Sequence, residues 1–371
     1  MSPDIETGAN IRATDKPLVW VLQGHRAGDN IQLQVLADGL GWPFHIKKLA
    51  WQKNRLKRLP LWTPFYGRSA GLQHLTPETR ETFCAPWPDV VLSVGWRSVP
   101  VARWIKAQCG AKLVHVGRPR APLTAFDLVL TTPQYGLPPA GNVVQLTGPM
   151  TATPAQHDTA TLKTWETHLS HLPHPWTAVL VGGDTPVLKF PTSAATHLAN
   201  KAKAALAANG GSLLVLTSPR TPPPVSETLR SALPPSAFFH PWSKSADNPY
   251  SAVLTLADRF IVTNDSISMT HEAALTGRPL DIFPLHVKSG KIDRALVSFH
   301  EKLRHSDTAI GRAYLDLIRS GVIYPPKSAN DYFKQLANDG KSAPLVPQSP
   351  RAVSAVQALF ETGGKQASKL S

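Results

Sequence analysis

Cysteine is scarce: the 371 residues hold two, Cys84 and Cys109. Two thiols in a chain this long make no disulfide framework. No Cys/His spacing of the metal-binding kind is present, so no metal is expected and a reducing cytoplasm is the expected setting. Long apolar runs are missing too, and none approaches the roughly 20 residues that cross a bilayer. The opening MSPDIETGANIRATDK is polar and acidic ahead of Arg12, and it reads as neither a signal nor a transit peptide. No nucleic-acid-binding motif appears.

Acidic residues are few against basic ones, and the net charge is +14. Much of the excess sits in Ile46–Arg68, where Lys47, Lys48, Lys53, Arg55, Lys57, Arg58 and Arg68 occur with no acid between them. Trp51, Leu56, Leu59, Leu61, Trp62, Phe65 and Tyr66 are interleaved. Such a mixture suits an anionic membrane surface, where rings sit among headgroups and each cation gains about 1 kcal/mol. It equally suits an ordinary solvated stretch whose apolar residues pack on the domain. The first alternative gives a protein peripheral at the inner face of the membrane. Nucleic acid is the weakest partner, for want of a motif.

A chain of this length exceeds the usual size of one core, so two domains are the default. The 35 prolines cluster at 219–224 and 234–241, which argues for rigid loops there. Residues 1–16 read as a flexible tail. Short apolar runs at Leu18–Leu22, Val90–Val94, Leu113–Val116, Leu128–Leu130 and Val143–Leu146 alternate in part with helical stretches such as Asp29–Leu40 and Val99–Cys109. This is an α/β pattern with a parallel sheet, and residues 17–148 form its first domain. Residues 149–175 read as a link containing a helix over about Thr159–Leu172. A second alternation fills 176–320, with runs at Ala178–Val181, Leu213–Leu216, Phe238–Phe239, Phe260–Val262 and Leu280–Phe283. The expected architecture is two Rossmann-like domains facing across a cleft, with ligands beyond the C-terminal strand ends. Residues 321–371 are an extension with one plausible helix, Ala329–Asn338, and loosely ordered last residues.

The most informative segment is ADRFIVTNDSISMTHEAALTGRPLDIFPL, Ala257–Leu285. It reads as strand, polar loop, short helix ended at Gly277, and strand. Backbone N–H groups at the helix start can face an anion, and one turn later Glu272 can accept from two neighbouring hydroxyls. An ordinary capped corner with a solvated Glu has the same spacing. Upstream, Gly24-His25-Arg26-Ala27-Gly28-Asp29-Asn30 joins the first strand to the first helix. It is not GxGxxG, so no nicotinamide cofactor is implied. Gly24 and Gly28 permit a tight turn and close approach of a substrate. Asp29 is a helix cap, a substrate-positioning group or a general base, with His25 as the second candidate base.

Several stretches resemble one known family: VWVLQGHRAGDN (Val19–Asn30), PDVVLSVGWRSVPVARWI (Pro88–Ile105), VHVGRPR (Val114–Arg120), FDLVLTTPQYGLP (Phe126–Pro138), VLVGGD (Val179–Asp184), TSPRT (Thr217–Thr221), DNPY (Asp247–Tyr250) and TNDSISMTHEAALTGRP (Thr263–Pro279). In this order they are similar to the family named for the plant mitochondrial-fission factor "elongated mitochondria", which has many bacterial members. The last stretch also resembles the donor-nucleotide motif of GT-B glycosyltransferases. The resemblance implies a GT-B-like enzyme using a nucleotide-sugar as substrate, with no cofactor. It further implies a nucleotide site of Gly182, Gly183, Ser218, Arg220, Asn248, Tyr250, Asp265, Ser266, Ser268, Met269 and Glu272. Within it Ser266 and Ser268 would meet phosphate, Arg220 the diphosphate, and Glu272 ribose. Tyr250 would stack on the base or pack in the core. Gly24, Arg26, Gly28, Arg97, Arg118 and Arg120 would line the acceptor side, where arginines suit a phosphorylated or carboxylated envelope lipid or saccharide. Retaining relatives often carry a second Glu eight residues after an acidic position; here that position is Leu280, which favours inversion. Two other functions fit the same resemblance: a nucleotide-sugar epimerase, and a non-catalytic adaptor, since the plant relatives are linked to recruiting a dynamin-related GTPase. No protein partner can be named from these residues.

Overall fold

The structure is a computed structural model that describes residues 16–52, 72, 74–151, 159–185, 188–244, 248–287, 308, 312, 316 and 346–361. The chain divides into two compact units, one of Met1–Thr131, Pro139–Val144 and Val353–Ser371, the other of Thr132–Pro138 and Gln145–Ala352. Each has its own sheet.

The first sheet holds β1 (Val19–Gln23), β2 (Phe44–Lys48), β3 (Val90–Val94), β4 (Lys112–Val116), β5 (Leu128–Thr131) and β6 (Val143–Gln145), in the order β2-β1-β3-β4-β5-β6. The pairs β1–β2, β1–β3, β3–β4 and β4–β5 are parallel. Apolar runs make the central strands because helices cover both faces: Val19, Trp20, Val21 and Leu22 are all wholly buried. Helix α1 (Ala27–Leu40) buries Leu33, Leu36 and Leu40 and stops at Gly41, whose φ of 59° is left-handed. Helix α3 (Ser98–Cys109), after the short α2 (Pro77–Glu81), stops in the same way at Gly110.

The basic stretch begins inside strand β2. Ile46–Lys48 belongs to this edge strand, in register with β1, with Ile46 and Lys48 exposed and Lys47 half-buried. Lys47 lies 4.2 Å over the Trp20 ring and donates to the Thr82 carbonyl. Lys53, Arg55, Lys57, Arg58 and Arg68 lie outside the described residues.

The second sheet runs β10 (Phe238–His240), β9 (Ser212–Thr217), β7 (Trp176–Val181), β11 (Arg259–Thr263), β12 (Leu280–Phe283), all parallel. Alternate residues of one strand enter different cores, as the two-residue repeat requires. Val179 and Val181 join Ala195, Leu198, Leu213 and Leu229 on the side of α5 (Thr192–Asn209) and α6 (Pro223–Ala232). Ala178 and Leu180 join Val253, Phe260 and Ala273 on the side of α7 (Tyr250–Leu256) and α8 (Ile267–Leu275). Helix α4 (Thr159–Leu169), expected in a link, contributes Trp165 and Leu169 to this second core.

One reading of the C-terminal region changes. The expected helix Ala329–Asn338 lies outside the described residues and is not part of that change. Residues read as loosely ordered form the helix Ser349–Glu361, with Ala352 and Val356 buried and the Phe360 ring 5.2 Å from that of Trp42.

Both sheets have a point where the chain leaves a strand to one side and later returns to the other. In the first it lies at the C-terminal ends of β1 and β3, and in the second at those of β7 and β11. Ligands of open α/β sheets gather at such points.

Candidate functional site

At the first switch point lies an open-mouthed recess of about 120 Å³. Gly24, His25, Arg26 and Asp29 line it from the β1–α1 connection, Gly95, Trp96, Arg97 and Ser98 from the β3–α3 connection, and Leu49 and Trp51 from beyond β2. Asn30 fixes the first connection. Its Oδ1 accepts from the Gly24 N–H at 2.9 Å, and its Nδ2 donates to the Gly24 carbonyl at 2.9 Å. Ser98 fixes the second by donating to the carbonyls of Val94 and Gly95, each at 2.9 Å.

Asp29 is not a helix cap. The cap position is Arg26, which makes no side-chain cap bond, and Asp29 sits within the first turn. Its carboxylate faces the end of β3, where a Cβ on Gly95 would lie 3.9 Å from Oδ2. It makes no hydrogen bond or ion pair among the described residues. Burial pushes its carboxyl above the ordinary value, against the opposing pull of Arg26 and His25. Such a carboxylate is free to accept a proton.

The glycines of this loop differ from their expected role. Neither Gly24 nor Gly28 has a left-handed φ, and a Cβ on either would meet nothing within 4 Å. The turn therefore does not demand glycine. Gly24 lines the recess, whereas Gly28 does not. The arginines also separate. Arg97 lines the recess, and Arg97 and Arg120 both approach the Trp96 ring, at 5.4 and 5.7 Å. Arg120 holds a left-handed φ of 54°, unusual for a side-chain-bearing residue. Arg118 is half-buried and does not line the recess.

At the second switch point three loops are tied by one carboxylate. The Asp265 side chain is 0% exposed and pairs with the 43%-exposed Arg220 at 2.8 Å. It also accepts from the Gly183 N–H at 2.9 Å and the Thr263 hydroxyl at 2.7 Å. Burial raises the Asp265 carboxyl above its ordinary value despite these donors and the Arg220 charge. Thr263 accepts in turn from the Gly182 N–H at 2.8 Å. Thr221 closes the third side, donating to the carbonyls of Gly182 at 2.6 Å and Val181 at 3.1 Å.

This network revises several roles. The N–H groups of Gly182 and Gly183 already have acceptors, so they do not face a phosphate. The glycines serve close packing: a Cβ on Gly182 would stand 2.1 Å from the Asp265 oxygens, and one on Gly183 would stand 1.8 Å from the Arg220 carbonyl oxygen. Asp265 positions Arg220 and the glycine loop. Ser218 accepts from the Arg220 N–H at 3.3 Å and shapes the same turn. Asn248, one residue before the cap position Pro249, accepts from the Tyr250 N–H at 3.0 Å and shapes the turn into α7. Ser266 caps α8 through the Met269 N–H at 3.4 Å, and Met269 packs against the core. The N–H groups of Ile267 and Ser268 have no acceptor within the helix, which is where an anion could bind.

One turn along α8, Glu272 accepts a short hydrogen bond from the Tyr250 hydroxyl. Burial raises the Glu272 carboxyl to about 7, with the Tyr250 donor pulling the other way. Tyr250 packs against the core, so a base-stacking role is replaced by contact with Glu272. Sequence reasoning gave no part to Asn30, Thr221 or Thr263. Each is a short polar residue at a strand end, and that position was their available signal.

Comparison with known proteins bears on the family and the fold. The family model for mitochondrial fission ELM1 matches residues 27–311. "Mitochondrial fission protein ELM1" of Arabidopsis thaliana is 25% identical over 277 residues, covering 67% of this chain. That match spans 62% of the Arabidopsis protein, less than two thirds of its length. "Uncharacterized protein RP120" of Rickettsia prowazekii (strain Madrid E) is 24% identical over 303 residues, covering 71% of this chain and 82% of its own. Among solved structures, a protein of Listeria monocytogenes assigned as a UDP-N-acetylglucosamine 2-epimerase is similar with a TM-score of 0.52 at 13% identity, over 94% of this chain and 97% of its own. The fold is therefore GT-B-like, built of two Rossmann-like domains, and the chain belongs to the mitochondrial fission ELM1 family.

Proposed function

We propose that this protein is an inverting glycosyltransferase that uses a nucleotide-sugar donor. Asp29 takes the proton of an acceptor hydroxyl as that oxygen bonds to the anomeric carbon. The bond from that carbon to the diphosphate breaks in the same step, and the nucleoside diphosphate leaves with the electron pair. Arg220, held by Asp265, offsets the charge that develops on the diphosphate. The α8 N-terminus meets phosphate and Glu272 meets ribose. Arg26 and Arg97 suit an acceptor that carries phosphate or carboxylate, such as an envelope lipid or saccharide.

The observation that carries this reading is Asp29: a carboxylate half-buried in a recess, unpaired among the described residues, with a raised pKa. Leaving such a group unpaired disfavours the fold, and proton transfer gives it a reason to be there. A non-catalytic adaptor, serving the mitochondrial fission that the Arabidopsis relative's name gives, would need no such group. The test is Asp29→Asn, which keeps size and removes basicity. Turnover of the donor should fall roughly 100-fold or more while nucleotide affinity holds. Near-normal turnover would remove Asp29 and move the role to His25. Turnover of the donor to an isomeric sugar nucleotide, without an acceptor, would indicate an epimerase instead.

A further inference from the structure

Tyr250 opens α7, and its ring packs against the core between the sheet and its helices. A phenol in that position needs a partner, and it has one in Oε2 of Glu272. Burial, with the Glu272 charge, drives the phenol well above its ordinary pKa, so it remains a donor through neutral pH. The other oxygen of Glu272 makes no hydrogen bond among the described residues. One oxygen is thus fixed by a rigid donor, and the other is left for a ligand.

We propose that Tyr250 is the positioning residue of the nucleotide site, holding the Glu272 carboxylate in one orientation for the vicinal diol of a ribose. The inference rests on the nucleotide-sugar reading and extends it to a residue that touches no ligand. Its consequence is a pH dependence. Only ionised Glu272 accepts from both hydroxyls of a diol, and the Tyr250 donor favours that form.

Among the described residues, other charged groups near α8 are already engaged. On the strands it packs against, Arg259 bonds to Asn209 and Asp281 pairs with Lys201 at 3.3 Å. Beyond β11, Asp265 is tied to Thr263, Gly183 and Arg220. His271, on α8 itself, is kept neutral by burial, with its pKa near 4. Arg278, beyond the helix, donates to the Leu254 and Ala257 carbonyls. Among the described residues, Tyr250 is the side chain that acts on Glu272 directly.

The experiment measures UDP affinity by calorimetry from pH 6 to pH 9 for wild type, Tyr250→Phe and Glu272→Gln. A parallel carboxyl NMR titration of Glu272 is run without ligand. Wild type should bind about ten-fold tighter at pH 8 than at pH 6, following a group that titrates near 7. Tyr250→Phe removes the donor and should move the Glu272 midpoint upward. A rise of one unit weakens binding about five-fold at pH 7 and hardly at all at pH 9. Glu272→Gln should bind weakly with a flat profile. Binding by Tyr250→Phe that falls equally at every pH, or an unmoved Glu272 midpoint, overturns the positioning role and leaves the nucleotide reading intact. Failure of UDP and the other nucleoside diphosphates to bind wild type at any pH overturns the nucleotide reading, and the inference with it.

Discussion

Glycine-to-alanine substitutions separate the glycines that the fold requires from one that the recess requires. Gly183→Ala places a Cβ 1.8 Å from the Arg220 carbonyl oxygen and 2.6 Å from the Thr221 nitrogen. Both neighbours are backbone, so no side chain can swing aside. The loop after β9 must move away from the end of β7. That movement breaks the Thr221 bonds to Val181 and Gly182, and it pulls Arg220 from Asp265. Overpacking of this kind costs roughly 1–3 kcal/mol, and each lost hydrogen bond adds about 1. The expected loss is about 3–5 kcal/mol. Gly24→Ala is the contrast: nothing lies within 4 Å of its Cβ. Its effect on stability should stay within about 0.5 kcal/mol. Because Gly24 lines the recess, the added methyl should act on turnover instead. Urea unfolding followed by circular dichroism measures the first pair of quantities. Equal midpoints for Gly183→Ala and wild type, or a Gly24→Ala protein that is as destabilised as Gly183→Ala, would refute the reasoning.

Three further outcomes follow from named groups. Glu272 titrates near 7 when folded and near 4.5 in a free chain, so the folded protein holds the extra proton between these values. Stability should therefore fall as pH rises from about 4.5 to 7, by up to about 3 kcal/mol, and then level off; Glu272→Gln should lose this slope, as urea midpoints at pH 5 and 8.5 would show. Asp265→Asn weakens a buried ion pair and a three-way tie, and should cost about 2–4 kcal/mol in the same assay. Replacing Lys53, Arg55, Lys57 and Arg58 with Gln should release the protein from anionic vesicles in flotation, an effect that salt should mimic; unchanged flotation leaves 46–68 as plain surface.

The fold class was legible because its strands are apolar runs with clear stops. Val90–Val94 and Leu280–Phe283 have the expected bounds, and Gly110 ends a helix where a left-handed cap is needed. Strand β2 was not legible. Its sequence FHIKK lies at a sheet edge, exposes Ile46, and hides one lysine over Trp20, so neither alternation nor hydrophobicity marks it. The helix Ser349–Glu361 was legible but passed over: Ala352, Val356 and Phe360 recur at i, i+4 and i+8 after a Ser349-Pro350 start, and they are the residues that meet the core and Trp42. At the candidate site, residue types and strand-end positions were readable, but hydrogen-bond partners were not. Gly182 and Gly183 looked like phosphate donors because nothing in VGGD shows that Thr263 and Asp265, some eighty residues on, accept from them. Asp29 looked like a cap for the same reason, since only the three-dimensional structure puts Arg26 at the cap position.

The central claim is that a nucleotide-sugar is the ligand. A thermal-unfolding series of the full-length protein against nucleoside diphosphates and their sugars tests it directly, with Glu272→Ala in parallel. A ligand at 100 times its dissociation constant stabilises the folded state by about 2.7 kcal/mol. The account predicts such a rise for at least one nucleotide and its sugar, reduced in Glu272→Ala by roughly 1–3 kcal/mol of lost binding. No shift across the whole panel, up to millimolar ligand, would contradict it.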